Sequence, residues 1–495
     1  MCAASIALCA PDSSQWIPAR WDGGPLESAY RKDPLSPDVR AVLADWYNPS
    51  TLSLLDGAPI NCLLVTLSAG ASPEIEARQK QLVGNYARLA HKRGIAVLGV
   101  VHSGANALTA AAAAAELRLD GLVLDGDFSS GFEREMNRSA QDQPVVIPIW
   151  RDASSAPGAR GPLLAVEGVR PDARNLTDMG IRGGASAVPW IDSNIWLVRS
   201  LRRGPQWQPV WIDQQPSPSS PGDYSRCVAD AAVAGGRWII ALDDDLRTRL
   251  FRREAASLGE WRRIVSYLKF AEEHADWRSF APYGNVGIIV DAASKNPEVS
   301  NEYLNLVARR QIPYRLMERS ALARESLGVF QAVLALDLAS PTTGERNLLN
   351  EFATNGGTVV AGPWWGGAPK DDSFIEVPTG KGRAVIYKDE PPDPESVAKD
   401  LVELLEPNVL GLSLFNVPSA ISYISTRDKQ VLIQLLNYAT IPSKRVTVRF
   451  NGRFHTARYY SPEDAPIELA VHATENGRTE FLIPQLTAWG AVLLE

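Results

Sequence analysis

One unit recurs eight times in the first 280 residues of this chain: a short apolar run, a polar or acidic residue at its end and, in several cases, a helical stretch. The apolar runs cover residues 16–21, 60–67, 95–101, 122–124, 145–150, 163–166, 209–212 and 238–242. Strands that alternate with helices form a parallel sheet, because each connection returns to the same end of the sheet. Eight such units predict a closed (β/α)8 barrel of the TIM type over residues 16–280.

The pattern restarts near residue 283 with five shorter strands, predicted at residues 286–290, 314–317, 333–336, 358–361 and 384–387. Helices predicted at 301–310, 345–354 and 394–405 alternate with them, which is typical of a doubly wound domain. Beyond Val417 the helical periodicity disappears, and about seven short strands with Asn-Gly turn signals follow. We therefore expect a flavodoxin-like (class I glutaminase-like) α/β domain at 283–408 and a C-terminal β-sandwich at 415–495.

Composition and charge narrow the functional classes. The formal net charge of −7 gives no basic surface for nucleic acid, and no apolar run reaches the roughly 20 residues that a membrane span needs. The four cysteines are scattered and the five histidines do not cluster, so we expect no metal site and no cofactor. Residues 1–15 begin with an apolar stretch that lacks Lys and Arg. This stretch is compatible with a signal remnant, which favours a periplasmic or secreted protein over a cytoplasmic one.

The carboxyl ends of the predicted barrel strands are rich in acidic residues. The active site of such a barrel lies at those ends, so these side chains are candidates for acid/base chemistry on an uncharged substrate. The most informative segment is an apolar strand that ends in Asp125, Gly126 and Asp127. Because side chains alternate along a strand, we expect Asp125 and Asp127 to face the barrel mouth together. The alternatives are a tight acidic turn here and, at the other strand ends, carboxylates that cap the following helices.

A long segment at 182–194 follows the sixth predicted strand, and its length favours a functional loop over a simple connection. It combines a guanidinium, an indole, a carboxylate and an amide, which suit the hydroxyls and ring of a sugar. Asp192 or Ser193 has the alternative role of capping the helix predicted from residue 195. The predicted catalytic residues are Asp125, Asp127, Glu167 and Asp192. The predicted substrate-binding residues are Trp21, Asp22, Trp150, Arg182, Trp190, Asn194, Asp213 and Asp243.

The order of the three domains resembles that of the β-galactosidases that combine a catalytic barrel, a flavodoxin-like trimerisation domain and a C-terminal β domain. Local support lies in the second domain, at residues 287–291, 361–363 and 380–383. The resemblance implies a glycoside hydrolase that forms a homo-oligomer through its second domain. That family places an Asn-Glu pair after barrel strand four, whereas this chain has Asp125, Gly126 and Asp127 there. No catalytic residue therefore transfers by motif.

Two functions remain open. The first is a glycoside hydrolase acting on an oligosaccharide or glycoside, in which one carboxylic acid protonates the leaving oxygen and a second is nucleophile or base. Asp125 or Asp127 is expected in one role, and Glu167 or Asp192 in the other. The second is a non-catalytic carbohydrate-binding or assembly protein, because a barrel does not imply an activity. Carboxylates about 5 Å apart indicate retention and about 6.5–9.5 Å apart inversion, whereas no facing pair favours binding alone.

Overall fold

The computed structural model describes residues 12–31, 34–129, 131–132, 135, 145–151, 162–174, 190–202, 208–216, 222–294, 296–338, 340–417, 419–474 and 476–495. The chain divides into two compact units. The first consists of Met1–Arg170 and Gly204–Glu273, and the second of Pro171–Arg203 and His274–Glu495. None of the helices within the described ranges is long and apolar enough to cross a membrane.

Short strands dominate the first half of the chain. In chain order they are β1 (Pro18–Arg20), β2 (Cys62–Ser68), β3 (Ala96–His102), β4 (Gly121–Asp125), β5 (Val145–Trp150), β6 (Leu164–Glu167), β7 (Asp172–Arg174), β8 (Trp190–Asp192), β9 (Val210–Asp213), β10 (Arg237–Trp238) and β11 (Ile240–Ala241). The strands at the eight predicted positions agree closely with the prediction, because buried parallel strands read as continuous apolar runs, whereas β7 and β8 were not predicted as strands.

Nine of these strands form one parallel sheet in the order β10-β9-β6-β5-β4-β3-β2-β1-β11. The two ends of that order, β10 and β11, are parts of one strand that is interrupted only at Ile239. The sheet therefore comes round on itself, and the predicted barrel is confirmed as a parallel, barrel-like sheet. Its interior is filled by fully buried side chains such as Leu98, Val123 and Trp211.

The described helices of the first unit follow barrel strands in sequence, and the last two follow β11. They are Gly24–Tyr30, Pro37–Asp45, Pro73–His91, Ala107–Leu117, Asp223–Val233, Asp244–Phe251 and Ala255–Glu273. The helix Pro73–His91 begins with a proline and with Glu74 and Glu76 in its first turn, where acidic side chains interact favourably with the helix dipole. The alternation of strand and helix brings the carboxyl ends of all barrel strands to one edge.

The second unit contains a mixed sheet between residues 286 and 387. Its strands, after the two-residue β12 (Ala281–Pro282), are β13 (Val286–Val290), β14 (Tyr314–Glu318), β15 (Ala332–Ala335), β16 (Thr358–Ala361), β17 (Phe374–Thr379) and β18 (Gly382–Tyr387). The order is β14-β13-β15-β16-β18-β17, with β17 antiparallel to β18 and the other pairs parallel. The helices Pro297–Arg309 and Thr343–Thr354 connect strands of this sheet, and the helix Pro394–Leu404 follows β18.

The C-terminal part is all β, as predicted. Its strands are β19 (Leu412–Phe415), β20 (Ala420–Arg427), β21 (Gln430–Asn437), β22 (Ser443–Asn451), β23 (Ala457–Tyr460), β24 (Ile467–Glu468), β25 (Val471–Ala473), β26 (Arg478–Leu486) and β27 (Trp489–Leu494). They form two antiparallel sheets, ordered β12-β20-β21-β27-β23-β24 and β19-β22-β26-β25. Ile433, Val448, Phe450 and Phe481 belong to the one apolar core that these sheets share.

The hairpin β7–β8 and the helix Ile195–Leu201 belong to the second unit, although the sequence predicted them within the barrel domain. The backbone carbonyl of Ile191 accepts a hydrogen bond from the Asn305 amide at 3.4 Å. The Ser193 and Tyr438 hydroxyls lie 3.1 Å apart, and the Arg199 guanidinium stacks 3.8 Å from the centre of the Tyr314 ring. These contacts join the segment to the rest of the second unit.

Candidate active site

The carboxyl-end edge of the barrel sheet carries a buried charge cluster. Arg20 is the last residue of β1 and Asp22 follows it closely, while Asp125 and Asp213 end β4 and β9. All four residues are buried, and the side chain of Arg20 is only 3% exposed. The parallel strands bring these residues together, because their carboxyl ends meet at one edge.

Arg20 is the centre of this cluster. Its Nε and Nη2 atoms donate to the two carboxylate oxygens of Asp213, each at 2.9 Å. The same Nη2 lies 2.9 Å from Asp125 Oδ2, while Nη1 lies 3.8 Å from Asp22 Oδ2, beyond hydrogen-bond distance. Arg20 Nη2 thus bridges one carboxylate oxygen of Asp125 and one of Asp213.

The surroundings of Asp22 and Asp125 shift the pKa values of these two carboxyls in opposite directions. Burial and the nearby charge of Glu27 raise the pKa of Asp22 to about 7, against the weaker effect of Arg20. Burial also opposes the ionisation of Asp125, but the charge of Arg20, aided by His102, outweighs it and lowers the pKa of Asp125. One carboxyl of the cluster is therefore a proton carrier near neutral pH and the other stays ionised.

His102, at the end of β3, lies beside the same carboxylate. Its Nδ1 is 3.7 Å from Asp125 Oδ2, and its ring stacks on Tyr30 with the ring centres 4.1 Å apart. Burial lowers the pKa of His102 despite the charge of Asp125, so the imidazole is neutral at pH 7. Neither ring nitrogen has a hydrogen-bond partner among the described residues. A neutral imidazole of this kind can donate to and accept from substrate hydroxyls.

The predicted catalytic residues do not gather in one place. Asp125 lies in the cluster, whereas Asp127 is exposed and 3.6 Å from the exposed Arg151, and Glu167 is exposed at the end of β6. Asp192 belongs to the second unit, where its Oδ1 accepts a hydrogen bond from the Trp190 indole at 2.8 Å. Asp125 and Asp127 therefore do not form the facing pair that we expected from strand alternation, because Gly126 has a φ of +145°, which interrupts the extended backbone.

Asp22 and Asp213 are the predicted binding residues that join the cluster, and Trp150 is half-buried at the end of β5. Two predictions need correction. Trp21 is fully buried against Trp46, with the ring centres 5.0 Å apart, so it offers no face to a sugar. Asp243 caps the helix Asp244–Phe251, as the alternative proposed.

The remaining predicted binding residues lie in or near the segment 182–194. Arg182 lies outside the described residues. Trp190 stacks beneath the Arg309 guanidinium, 4.7 Å from its ring centre, within the second unit. Asn194 is buried at the start of the helix Ile195–Leu201, and the Ser193 hydroxyl accepts from the Ile195 amide at 3.1 Å. The N-cap residue of this helix is Asn194, not Asp192 or Ser193, although the Ser193 hydroxyl pairs with the first helical amide.

Arg20, Glu27 and Thr66 were not singled out by sequence. The sequence did contain a signal for Arg20, which is a charged residue inside an otherwise apolar strand. Such a side chain is seldom buried without a partner. Within the described ranges, no group of three or more His, Cys, Asp or Glu side chains is arranged to hold a metal ion. The cluster itself consists of carboxyl, imidazole and guanidinium groups.

No protein-family model and no curated protein sequence matches this chain. Two solved structures share its fold over almost the whole length. α-L-Fucosidase isoenzyme 2 from Paenibacillus thiaminolyticus has a TM-score of 0.61 at 10% identity, covering 97% of this chain and 99% of that chain. A cold-adapted β-galactosidase from Rahnella sp. R3 has a TM-score of 0.54 at 10% identity, covering 99% of each. The predicted resemblance is thereby confirmed at the level of fold: the protein has a glycoside-hydrolase-like barrel.

Proposed function

We propose that the protein is a glycoside hydrolase that cleaves an oligosaccharide or glycoside with Asp22 as proton donor and Asp125 as ionised carboxylate. The observation that carries the proposal is the opposite shift of these two pKa values within one buried cluster. Paired carboxyl groups whose surroundings push their pKa values apart are the arrangement that acid/base catalysis at neutral pH requires.

The chemistry assigns one task to each carboxyl. Asp22 gives its proton to the glycosidic oxygen, so that the leaving group departs as a neutral alcohol. Asp125 either bonds to the anomeric carbon or takes a proton from the attacking water. In the first case water later releases the sugar and returns a proton to Asp22.

The neighbouring groups support this division of work. Arg20 keeps Asp125 ionised and, through its two bonds to Asp213, stays in a fixed orientation. His102 lies beside Asp125 with both ring nitrogens buried, and the exposed Tyr30 ring that stacks on it provides apolar surface at the cluster. Both α-L-fucosidase and β-galactosidase activities occur among proteins of similar fold, so substrates of both anomeric types belong in the test.

A second candidate is a carbohydrate-binding protein without catalysis. Arg20 forms ion pairs with Asp125 and Asp213 at the same time. These ion pairs neutralise carboxylate charge that a reaction would use, and this observation favours the second candidate. The exposed positions of Asp127 and Glu167 also leave them without a facing carboxylate in the described part of the barrel edge.

The test is a screen of the purified protein against chromogenic α- and β-glycosides and natural oligosaccharides. We expect turnover of at least one glycoside, with activity falling as the pH rises above about 7, where Asp22 loses its proton. Asp22→Asn should remove that alkaline decline together with most of the activity. Sugar binding by calorimetry without any turnover across the panel would favour the binding protein.

We also propose that the sheet β13–β18 forms a flavodoxin-like domain and that the protein assembles as a homo-oligomer through it. The strand order with the crossover between β13 and β15 supports the first part. The paired indoles Trp364 and Trp365 give less support to assembly than expected, because Trp364 donates to the Ala335 carbonyl at 3.0 Å and both rings pack on their own domain. Light scattering at micromolar concentration tests assembly, and a monomer would contradict it.

A further inference from the structure

We infer that Glu27 is a positioning residue that keeps the proton on Asp22, acting through the Thr66 hydroxyl that both carboxyls share. The catalytic consequence of this role rests on the proposed function, whereas the proton arrangement itself does not. Glu27 lies in the helix Gly24–Tyr30 and Thr66 in β2, so two different elements enclose the Asp22 carboxyl.

The geometry of the shared hydroxyl requires a proton on one of the two carboxyls. Thr66 Oγ1 lies 3.2 Å from Asp22 Oδ1 and 3.0 Å from Glu27 Oε2. A threonine hydroxyl has one hydrogen, so it donates to only one of these oxygens. The other contact is favourable only when the carboxyl donates to the hydroxyl, and therefore only when that carboxyl is protonated. Thr66 is fully buried, so its hydroxyl is not exposed to bulk solvent.

The ionic partners place the proton on Asp22. Glu27 accepts a hydrogen bond from Arg31 Nε at 2.8 Å. Burial opposes the ionisation of Glu27, but Arg31, aided by Arg247 and His102, outweighs it and lowers the pKa of Glu27. Among the described residues, Asp22 accepts no hydrogen bond from a cationic side chain: Arg20 is 3.8 Å away, and Arg247 donates instead to the Asp22 backbone carbonyl at 3.0 Å. Asp22 therefore donates to Thr66, and Thr66 donates to the ionised Glu27.

Other charges around the pair act in known directions. The titratable and charged groups that face Asp22 are Arg20, Glu27, Tyr47, Asp125 and Arg247. Those that face Glu27 include Arg31, Arg247 and His102. Arg20 and Arg247 favour ionised Asp22, whereas the charge of Glu27 opposes it most strongly after burial. Removal of the Glu27 charge therefore lowers the pH at which Asp22 loses its proton.

The experiment is an infrared pH titration of the full-length protein, with Asp22→Asn subtracted to isolate the carbonyl band of protonated Asp22. We expect this band in the wild type at pH 6. In Glu27→Gln, which keeps the size and polarity of the side chain, we expect its midpoint to fall by about one pH unit or more. Thr66→Ser keeps the hydroxyl and should keep the wild-type midpoint. The matched control Asp244→Asn removes a carboxylate that also binds Arg31 but does not contact Thr66, and should shift the midpoint less.

An unchanged midpoint in a folded Glu27→Gln variant, or no Asp22 band in the wild type at pH 6, would overturn the inference. Circular dichroism of each variant establishes folding. If Glu27→Gln fails to fold, Thr66→Ser is the test, and loss of the Asp22 band in Thr66→Ser would count against the inference. The outcome is independent of turnover. A shifted midpoint without glycosidase activity refutes only the proposed function, and turnover with an unshifted midpoint refutes only the role of Glu27.

Discussion

Arg20 binds Asp213 through two parallel hydrogen bonds, each 2.9 Å long, across a sequence separation of 193 residues. A planar guanidinium meets both oxygens of a carboxylate only in one orientation, so this pair fixes the third donor direction of Arg20 toward Asp125. The pair thus connects the first and seventh strands of the barrel and sets the charge at its edge.

Removal of the Arg20 charge should destabilise the first unit strongly. Arg20→Met leaves Asp125 and Asp213 buried without their cation, and breaking a buried pair from one side costs about 3–5 kcal/mol. The matched control is Arg151→Met, which removes an arginine that is 55% exposed and 3.6 Å from Asp127. That change should stay within about 0.5 kcal/mol. Urea unfolding followed by tryptophan fluorescence measures both, and equal effects of the two substitutions would refute the role of Arg20.

Asp22 should make the stability of the protein fall as the pH rises from about 4 to 7. The pKa of Asp22 is raised to about 7, above the roughly 4 of an unfolded aspartate, so the folded state binds the extra proton in this window. The free energy of unfolding then decreases by up to about 1.4 kcal/mol per pH unit. Asp22→Asn should lose this dependence. Urea titrations of both proteins between pH 4.5 and 7.5 test the difference, and parallel pH profiles would contradict a raised pKa.

Asp243 should contribute to stability more than to activity. Its Oδ1 accepts from the backbone amides of Asp245 and Leu246 at 3.0 Å, which satisfies donors that the helix itself leaves free. Asp243→Ala should therefore lower the stability by about 1 kcal/mol, with turnover close to wild type. Asp245→Ala, which removes an exposed acid from the same helix, serves as control and should cost less. A large loss of turnover in Asp243→Ala at unchanged stability would instead support the prediction that Asp243 binds substrate.

The fold was predictable because its signals are local. Buried parallel strands appear as apolar runs and the change to an all-β region appears as a loss of helical periodicity, so the strands of the barrel and the C-terminal domain were placed within a few residues. The separation of residues 171–203 from the barrel unit was not predictable, because it depends on contacts such as Asn305 with the Ile191 carbonyl, more than 100 residues away in sequence.

The site was only partly predictable for the same reason. Asp125 ends an apolar run and was identified, but Arg20, Glu27 and Thr66 act through partners that sequence alone does not pair with them. Strand alternation also decides between neighbours: Arg20 faces the charge cluster, and Trp21 faces the opposite side, where it packs on Trp46. A strand-end position therefore indicated the right edge of the barrel without indicating which side chain faces the cluster.

The most direct test of the central claim compares Asp125→Asn with Asp127→Asn on the glycoside that the wild type turns over best. The two residues are separated by one glycine, but Asp125 is buried beside Arg20 and the side chain of Asp127 is 87% exposed. Loss of an ionised catalytic carboxylate should reduce kcat by roughly 10²–10⁴-fold or more in Asp125→Asn, while Asp127→Asn keeps a rate close to wild type. A wild-type rate in a folded Asp125→Asn variant would contradict the assignment of catalysis to this cluster.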